Sequence, residues 1–247
     1  MSYRRIRVSG MVEAEMPDMR IGLRAYAIEV GTEPLARPTR NSVGGWPCFE
    51  EGQEWPTCFC GERMALFFQL DIPSDVEHFG GDHLLVFHCR DHNDALFGPL
   101  AEGDRLVDRY WDAPQGIFSG PFSRILLLRQ ATLPAAEREP SVCALPLTLH
   151  PFVDEPDEEG LGSQTFKVGG APSWAQYPEF YQCACGADLV YVCQVPEYWE
   201  FDIYPGAPEQ DCSVGNTYNL FLGNEVYLQA CPDHCDPAAV WPVVQKF

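Results

Sequence analysis

No stretch of the 247 residues approaches the roughly 18 consecutive apolar residues of a membrane-spanning helix. The opening Met1–Gly10 is basic, but no apolar core follows it, so no secretory signal is expected. Positive charge is scarce. Lys and Arg total 16 against 36 Asp and Glu, a net charge of −20. Such a chain repels nucleic acid and anionic membrane surfaces and attracts basic proteins. The catalytic signatures that spacing can reveal are missing too. The sequence has no G-x-x-x-x-G-K-[ST] loop, G-x-G-x-x-G turn, H-E-x-x-H helix or G-x-S-x-G elbow, and no H-x-E with P-C-x-x-C. These absences lead to the expectation of a cytoplasmic protein with no catalytic residues to name. Its partner would be a basic protein, with no role for nucleic acid or membrane.

What is present is material for a core and for turns. Hydrophobic residues make up 46 % and aromatics 13 %, enough for a packed interior. The 22 prolines and 21 glycines favour short strands over long helices. Eleven cysteines, an odd number, sit uneasily with a disulfide framework in a reducing compartment, and metal binding is the natural alternative.

An internal repeat organises the chain. Val43-Gly44-Gly45-Trp46-Pro47 recurs 125 positions later as Val168-Gly169-Gly170-Ala171-Pro172. The same shift carries Cys58-Phe59-Cys60-Gly61 onto Cys183-Ala184-Cys185-Gly186, and Gln69 onto Gln194. The register then becomes 142, laying Cys89-Arg90-Asp91-His92 over Cys231-Pro232-Asp233-His234. The second copy therefore holds a 17-residue insertion, placed in the acidic, proline-rich Glu197 to Asp211. Several residue types at a constant offset in the same order indicate duplication. The expected fold is a β-rich α+β arrangement of two similar antiparallel β units, each closed by a zinc-binding cysteine cluster. Residues 1–40 form an N-terminal segment packing on the core, 41–140 the first repeat, 141–165 an acidic connector and 166–247 the second repeat. Residues 11–40 read equally as strand or helix. Strands are expected at Ala65–Ile72, His83–Cys89, Ile125–Leu133 and Leu189–Val195, with a hairpin turning at Leu222-Gly223-Asn224-Glu225.

Structural zinc takes four Cys or His ligands, commonly two pairs from two turns. Cys58, Cys60, Cys89 and His92 supply such pairs in the first copy. In the second they are Cys183, Cys185, Cys231 and either His234 or Cys235, with His234 favoured as the counterpart of His92. Two structural zinc ions (Zn2+) are thus expected. Cys48, Cys143, Cys193 and Cys212 read as buried or incidental thiols. Each Gly-Gly-x-Pro turn reads either as a tight bend feeding a strand or as the edge of a ligand groove.

Val-Gly-Gly-x-Pro, the later Trp55-Pro56, and the run into Phe68-Gln69-Leu70-Asp71-Ile72-Pro73 resemble the YwqG-like family of bacterial proteins. The pattern Gly169, Gly170, Pro172, Trp174, Cys183, Cys185, Gln194 and a closing cysteine cluster is similar to the programmed cell death protein 2-like family. The cysteine clusters depart from the YwqG-like pattern. The resemblance implies a duplicated β fold without an established enzymatic activity. It also implies a chaperone-like or immunity-protein-like role toward a protein partner. Two alternatives stand beside that reading. One is a metal-dependent hydrolase with an open zinc site or a carboxylate cleft. The other is a zinc- or redox-responsive regulator using Cys235 as a spare thiol.

Overall fold

Short apolar runs bounded by Gly and Pro cannot satisfy their own backbone groups, so they pair with one another. The computed structural model describes residues 22–95, 101–213 and 215–246, and its regular secondary structure is almost wholly strand. Ten form one antiparallel sheet: β1 (Leu23–Val30), β2 (Ser42–Val43), β3 (Ala65–Asp71), β4 (His83–His88), β5 (Ser123–Leu128), β6 (Leu145–Asp154), β7 (Lys167–Gly169), β8 (Val190–Val195), β9 (Glu225–Ala230) and β10 (Val240–Gln245). Their order across the sheet is β10-β9-β8-β7-β1-β6-β2-β3-β4-β5. The sheet curls until its outer strands approach. Leu127 N–H on β5 donates to the Pro237 carbonyl, just before β10, at 2.8 Å, so the sheet is nearly closed. Helix among the described residues is confined to two 3₁₀ turns, Tyr110–Asp112 and Phe221–Gly223.

The strands β4 and β9 are buried along their whole length, and β3 along all but its last residue. That explains their near-continuous apolar sequence, because a strand covered on both faces has no solvent side to mark by alternation. A bulge at Phe67, between Leu66 and Phe68, brings both rings to Phe201, with centroids 5.1 and 6.4 Å away.

Two expectations need correction, and one reading left open is decided. The span 141–165 is not a connector, since it contains the ten-residue β6 at the centre of the sheet. β6 pairs with β1 from Leu23↔Asp154 to Val30↔Leu147, which settles 23–30 as strand, while residues 1–21 lie outside the described residues. The acidic composition misleads because Asp154 is fully buried. It takes Lys167 Nζ at 2.6 Å and accepts from the Ser163 and Ala171 N–H groups. The hairpin at Leu222–Glu225 does not form. Thr217–Tyr218 pairs instead with Phe201–Asp202, and Leu222 N–H donates to Asn93 Oδ1 at 3.0 Å. A tertiary contact overrides the local turn signal.

Candidate metal centres

Each Cys-x-Cys-Gly segment forms a tight knuckle at the entrance to a buried strand. In the first, Cys58 N–H donates to the Glu62 carbonyl and Gly61 N–H returns to the Cys58 carbonyl, at 2.8 and 2.9 Å. In the second, Cys183 N–H donates to the Ala187 carbonyl and Gly186 N–H to that of Cys183, both at 2.8 Å. Gly61 and Gly186 adopt φ of +93° and +102°, where a side chain would be strained. The second half of each centre sits directly after a strand, Cys89 after β4 and Cys231 after β9.

Site one gathers all four of its expected residues. Cys58 Sγ and Cys89 Sγ lie 3.6 and 3.5 Å from His92 Nδ1, and Cys60 Sγ lies 4.0 Å from Cys89 Sγ. The donor atoms all fall within 4.8 Å of one another. The rings of Phe59 and Phe118 flank His92, with centroids 4.5 and 5.1 Å away, and fix its plane.

Site two gathers Cys183, Cys185, Cys231 and Cys235, again within 4.8 Å. The Cys183–Cys235 and Cys185–Cys231 sulfur pairs are each 3.5 Å apart. His234, the favoured fourth residue, is corrected to Cys235. Its ring turns away, with Nδ1 3.1 Å from the Pro232 carbonyl and Nε2 2.6 Å from Asp82 Oδ2. His234 has φ +48°, and this left-handed residue swings the chain so that the next side chain faces the sulfurs. All eleven cysteines are free thiols, and the clustered sulfurs stand well beyond the roughly 2.05 Å of a disulfide.

Crowded thiols resist losing protons together, because neighbouring thiolates repel. Cys89 is raised by its hydrogen bond with Cys58 and then by burial, and burial first of all pushes the Cys231 thiol up to about 11. At Cys185 burial opposes ionisation, yet the Ala187 N–H and the surrounding sulfurs bring the thiol below its ordinary value. A bound cation reverses this balance by accepting the sulfurs as thiolates.

The other thiols stay apart. Cys48 and Cys193 are buried, Cys143 is half-buried and Cys212 is exposed, and none joins a cluster. His88 is buried among Phe67, Phe122 and Phe221, with Nδ1 2.9 Å from the Cys89 carbonyl, and burial pulls its imidazole down to about 4. The Gly-Gly-x-Pro turns are structural bends. A Cβ at Gly44 would stand 2.6 Å from the Val142 carbonyl oxygen, and one at Gly170 2.4 Å from Asp154 Oδ2. The buried Gln69 and Gln194 secure these bends. Gln69 Oε1 accepts from Cys48 N–H at 2.8 Å and Gln194 Oε1 from Ser173 N–H at 3.2 Å.

Sequence reasoning missed that each centre is clasped by the other half of the chain. At site one, Asp211 N–H donates to the Arg90 carbonyl at 2.8 Å, and Asn93 Nδ2 donates to Asn219 Oδ1 at 2.8 Å. At site two, Leu106 N–H donates to the Gln182 carbonyl at 2.8 Å, the Arg105 guanidinium donates to the Ala184 carbonyl, and Tyr110 Oη lies 3.9 Å from Cys183 Sγ. No spacing rule links residues so distant in sequence. No protein-family model and no curated protein matches the chain.

Proposed function

We propose that the chain binds two zinc ions as closed structural sites and, so stabilised, acts as a non-catalytic acidic protein that holds a basic protein partner. The observation that carries the metal assignment is the convergence of eight donors into two tetrads with neighbouring atoms 3.5–4.0 Å apart. Zn–S bonds of about 2.3 Å at tetrahedral angles place sulfurs about 3.8 Å apart. Three thiols with one imidazole, and four thiols, are soft sets that suit zinc and not magnesium or calcium. Four donors complete a tetrahedron, whereas hydrolytic zinc keeps one position for water, so the closed reading is favoured over the hydrolase. The same count removes Cys235 as a spare thiol for a redox regulator.

The duplication belongs to this proposal. Beyond the cysteines, the 125-residue shift relates the Thr57↔Arg63 bridge to Gln182↔Asp188, and the bulge at Phe67 to that at Val192. It also relates the Gln69–Cys48 bond to Gln194–Ser173. Each copy would then contribute one long central strand, β1 or β6, which lies beside the short first strand of the other copy. Kinship with YwqG-like or programmed cell death protein 2-like proteins is part of the same proposal. The partner reading draws on the charge of −20 and on the absence of the searched catalytic motifs.

Elemental analysis of protein purified without added metal tests the first part. About two equivalents of zinc per chain are expected, and about one in each of Cys58→Ser and Cys183→Ser. Metal-free native protein would refute it. The second part predicts association with a basic protein that weakens steeply with salt. Absent or salt-insensitive association counts against it.

A further inference from the structure

A phenol from the first half of the chain stands against the sulfurs of site two. Tyr110 is only 1 % exposed, and its hydroxyl has Cys183 Sγ, 3.9 Å away, as its hydrogen-bond partner. The local sequence holds the ring in place. Tyr110 opens the 3₁₀ turn Tyr110–Asp112, entered through Arg109 at φ +50°. Asp112 anchors that turn by taking Arg124 Nη2 at 2.6 Å and Arg109 Nε at 2.8 Å. The ring packs on Trp111 and on Trp241 of β10, with centroids 4.9 and 6.1 Å away. Leu106 N–H donates to the Gln182 carbonyl and Gln182 N–H to that of Asp104, which ties the segment before Tyr110 to the Cys183 knuckle.

A buried hydroxyl left without a partner costs about 1–3 kcal/mol, and phenylalanine would fill the same space without that demand. The oxygen therefore needs a reason, and the charge of site two supplies one. Four thiolates about a divalent ion leave two negative charges uncompensated, whereas three thiolates and an imidazole leave one. Backbone groups answer part of this, since Ala187 N–H bonds Cys185, and the Asp233 and Cys235 N–H groups bond Cys231. Tyr110 reaches Cys183, the most deeply buried of the four, where uncompensated charge costs most. A neutral thiol is a weak acceptor, but a thiolate makes the same contact a charge-assisted hydrogen bond of roughly twice the strength. At site one the flanking side chains are instead the rings of Phe59 and Phe118.

We propose that Tyr110 is a positioning residue of site two, its phenolic O–H donating to the Cys183 thiolate and strengthening metal binding there. The first half of the chain thereby supplies a working part of the second half's centre. The proposal rests on the metal reading and adds a fifth residue to that site.

The test uses the full chain with zinc and, as a spectroscopic probe, cobalt(II). Tyr110→Phe removes the hydroxyl oxygen and keeps the ring. In the Cys58→Ser background, which leaves site two alone, its zinc dissociation constant is read by competition with a chromophoric chelator. It is expected to rise about 10–100-fold, the range for losing an outer hydrogen bond to a metal ligand. In the Cys183→Ser background, which leaves site one, the affinity should not change. The sulfur-to-cobalt charge-transfer band of site two should move to lower energy, because a thiolate without its donor holds its electrons less tightly. Tyr227→Phe is the control. That phenol is also fully buried but bonds Ser173 and Ala175, so both readouts should stay at wild type. An unchanged affinity, an unmoved band or an equal loss in Tyr227→Phe overturns the role of Tyr110. If wild type still holds two zinc equivalents in that case, the metal reading stands, whereas a native chain that takes up no zinc removes both.

Discussion

His234 Nε2 sits 2.6 Å from Asp82 Oδ2 and ties the turn of site two to the residue just before β4 in the other half. The equivalent turn of site one reverses the arrangement. There the histidine, His92, joins the cluster, and the next residue, Asn93, reaches across to Asn219 and Leu222. Each turn thus offers one side chain inward to its cluster and one outward to the opposite half.

His234→Ala should therefore keep both metal equivalents while losing about 1–3 kcal/mol of stability with the crossing bond. Cys235→Ser should hold about one equivalent. Metal analysis together with urea unfolding separates the two. Loss of an equivalent in His234→Ala would contradict the assignment of Cys235.

Gln69→Leu and Gln194→Leu should each cost about 2–4 kcal/mol, because one amide satisfies several backbone groups. Gln69 Nε2 donates to the Trp46 carbonyl at 2.7 Å and its Oε1 accepts from Cys48 N–H, while Gln194 Nε2 donates to the carbonyls of Ser163 and Thr165. Chemical denaturation measures the loss. Substitutions costing less than about 1 kcal/mol would show that these glutamines do not hold the Gly-Gly-x-Pro bends.

Lys167→Met should destabilise by about 3–5 kcal/mol, since it leaves the Asp154 carboxylate buried without its cation. Lys167→Met/Asp154→Leu should not restore wild-type stability. In that double variant the Ser163 and Ala171 N–H groups lose the acceptor that Asp154 supplies. Full recovery in unfolding measurements would show that the pair matters only as a pair.

Glu225 is fully buried, and burial raises its carboxyl above the ordinary 4.5. The folded chain then holds a proton that the unfolded chain releases, so stability falls as pH rises through the window above 4.5. Glu225→Gln keeps an acceptor for Glu197 N–H and removes the ionisation. The variant should be the more stable form at pH 7 and lose its advantage toward pH 4. Unfolding midpoints across that range check it. A constant difference between the proteins would remove Glu225 as the cause.

The strands near the clusters were legible because Ala65–Asp71, His83–His88 and Val190–Val195 are apolar runs with turns at both ends. β6 was obscured because its sequence runs straight into the acidic stretch Glu155, Asp157, Glu158 and Glu159, and its own last residue, Asp154, is buried only in company with Lys167. The bend at Phe221–Gly223 was obscured as well. Its left-handed residues are stabilised by Asn93, which lies 129 positions from Leu222.

The repeated cysteines and their spacing determined from sequence alone that two clusters should form, because ligand type and local turn geometry are encoded within a few residues. Tertiary structure decided which of His234 and Cys235 faces the sulfurs and how each half clasps the other's centre. Those outcomes depend on backbone direction and on contacts between distant segments, which become fixed only when the sheet curls toward closure.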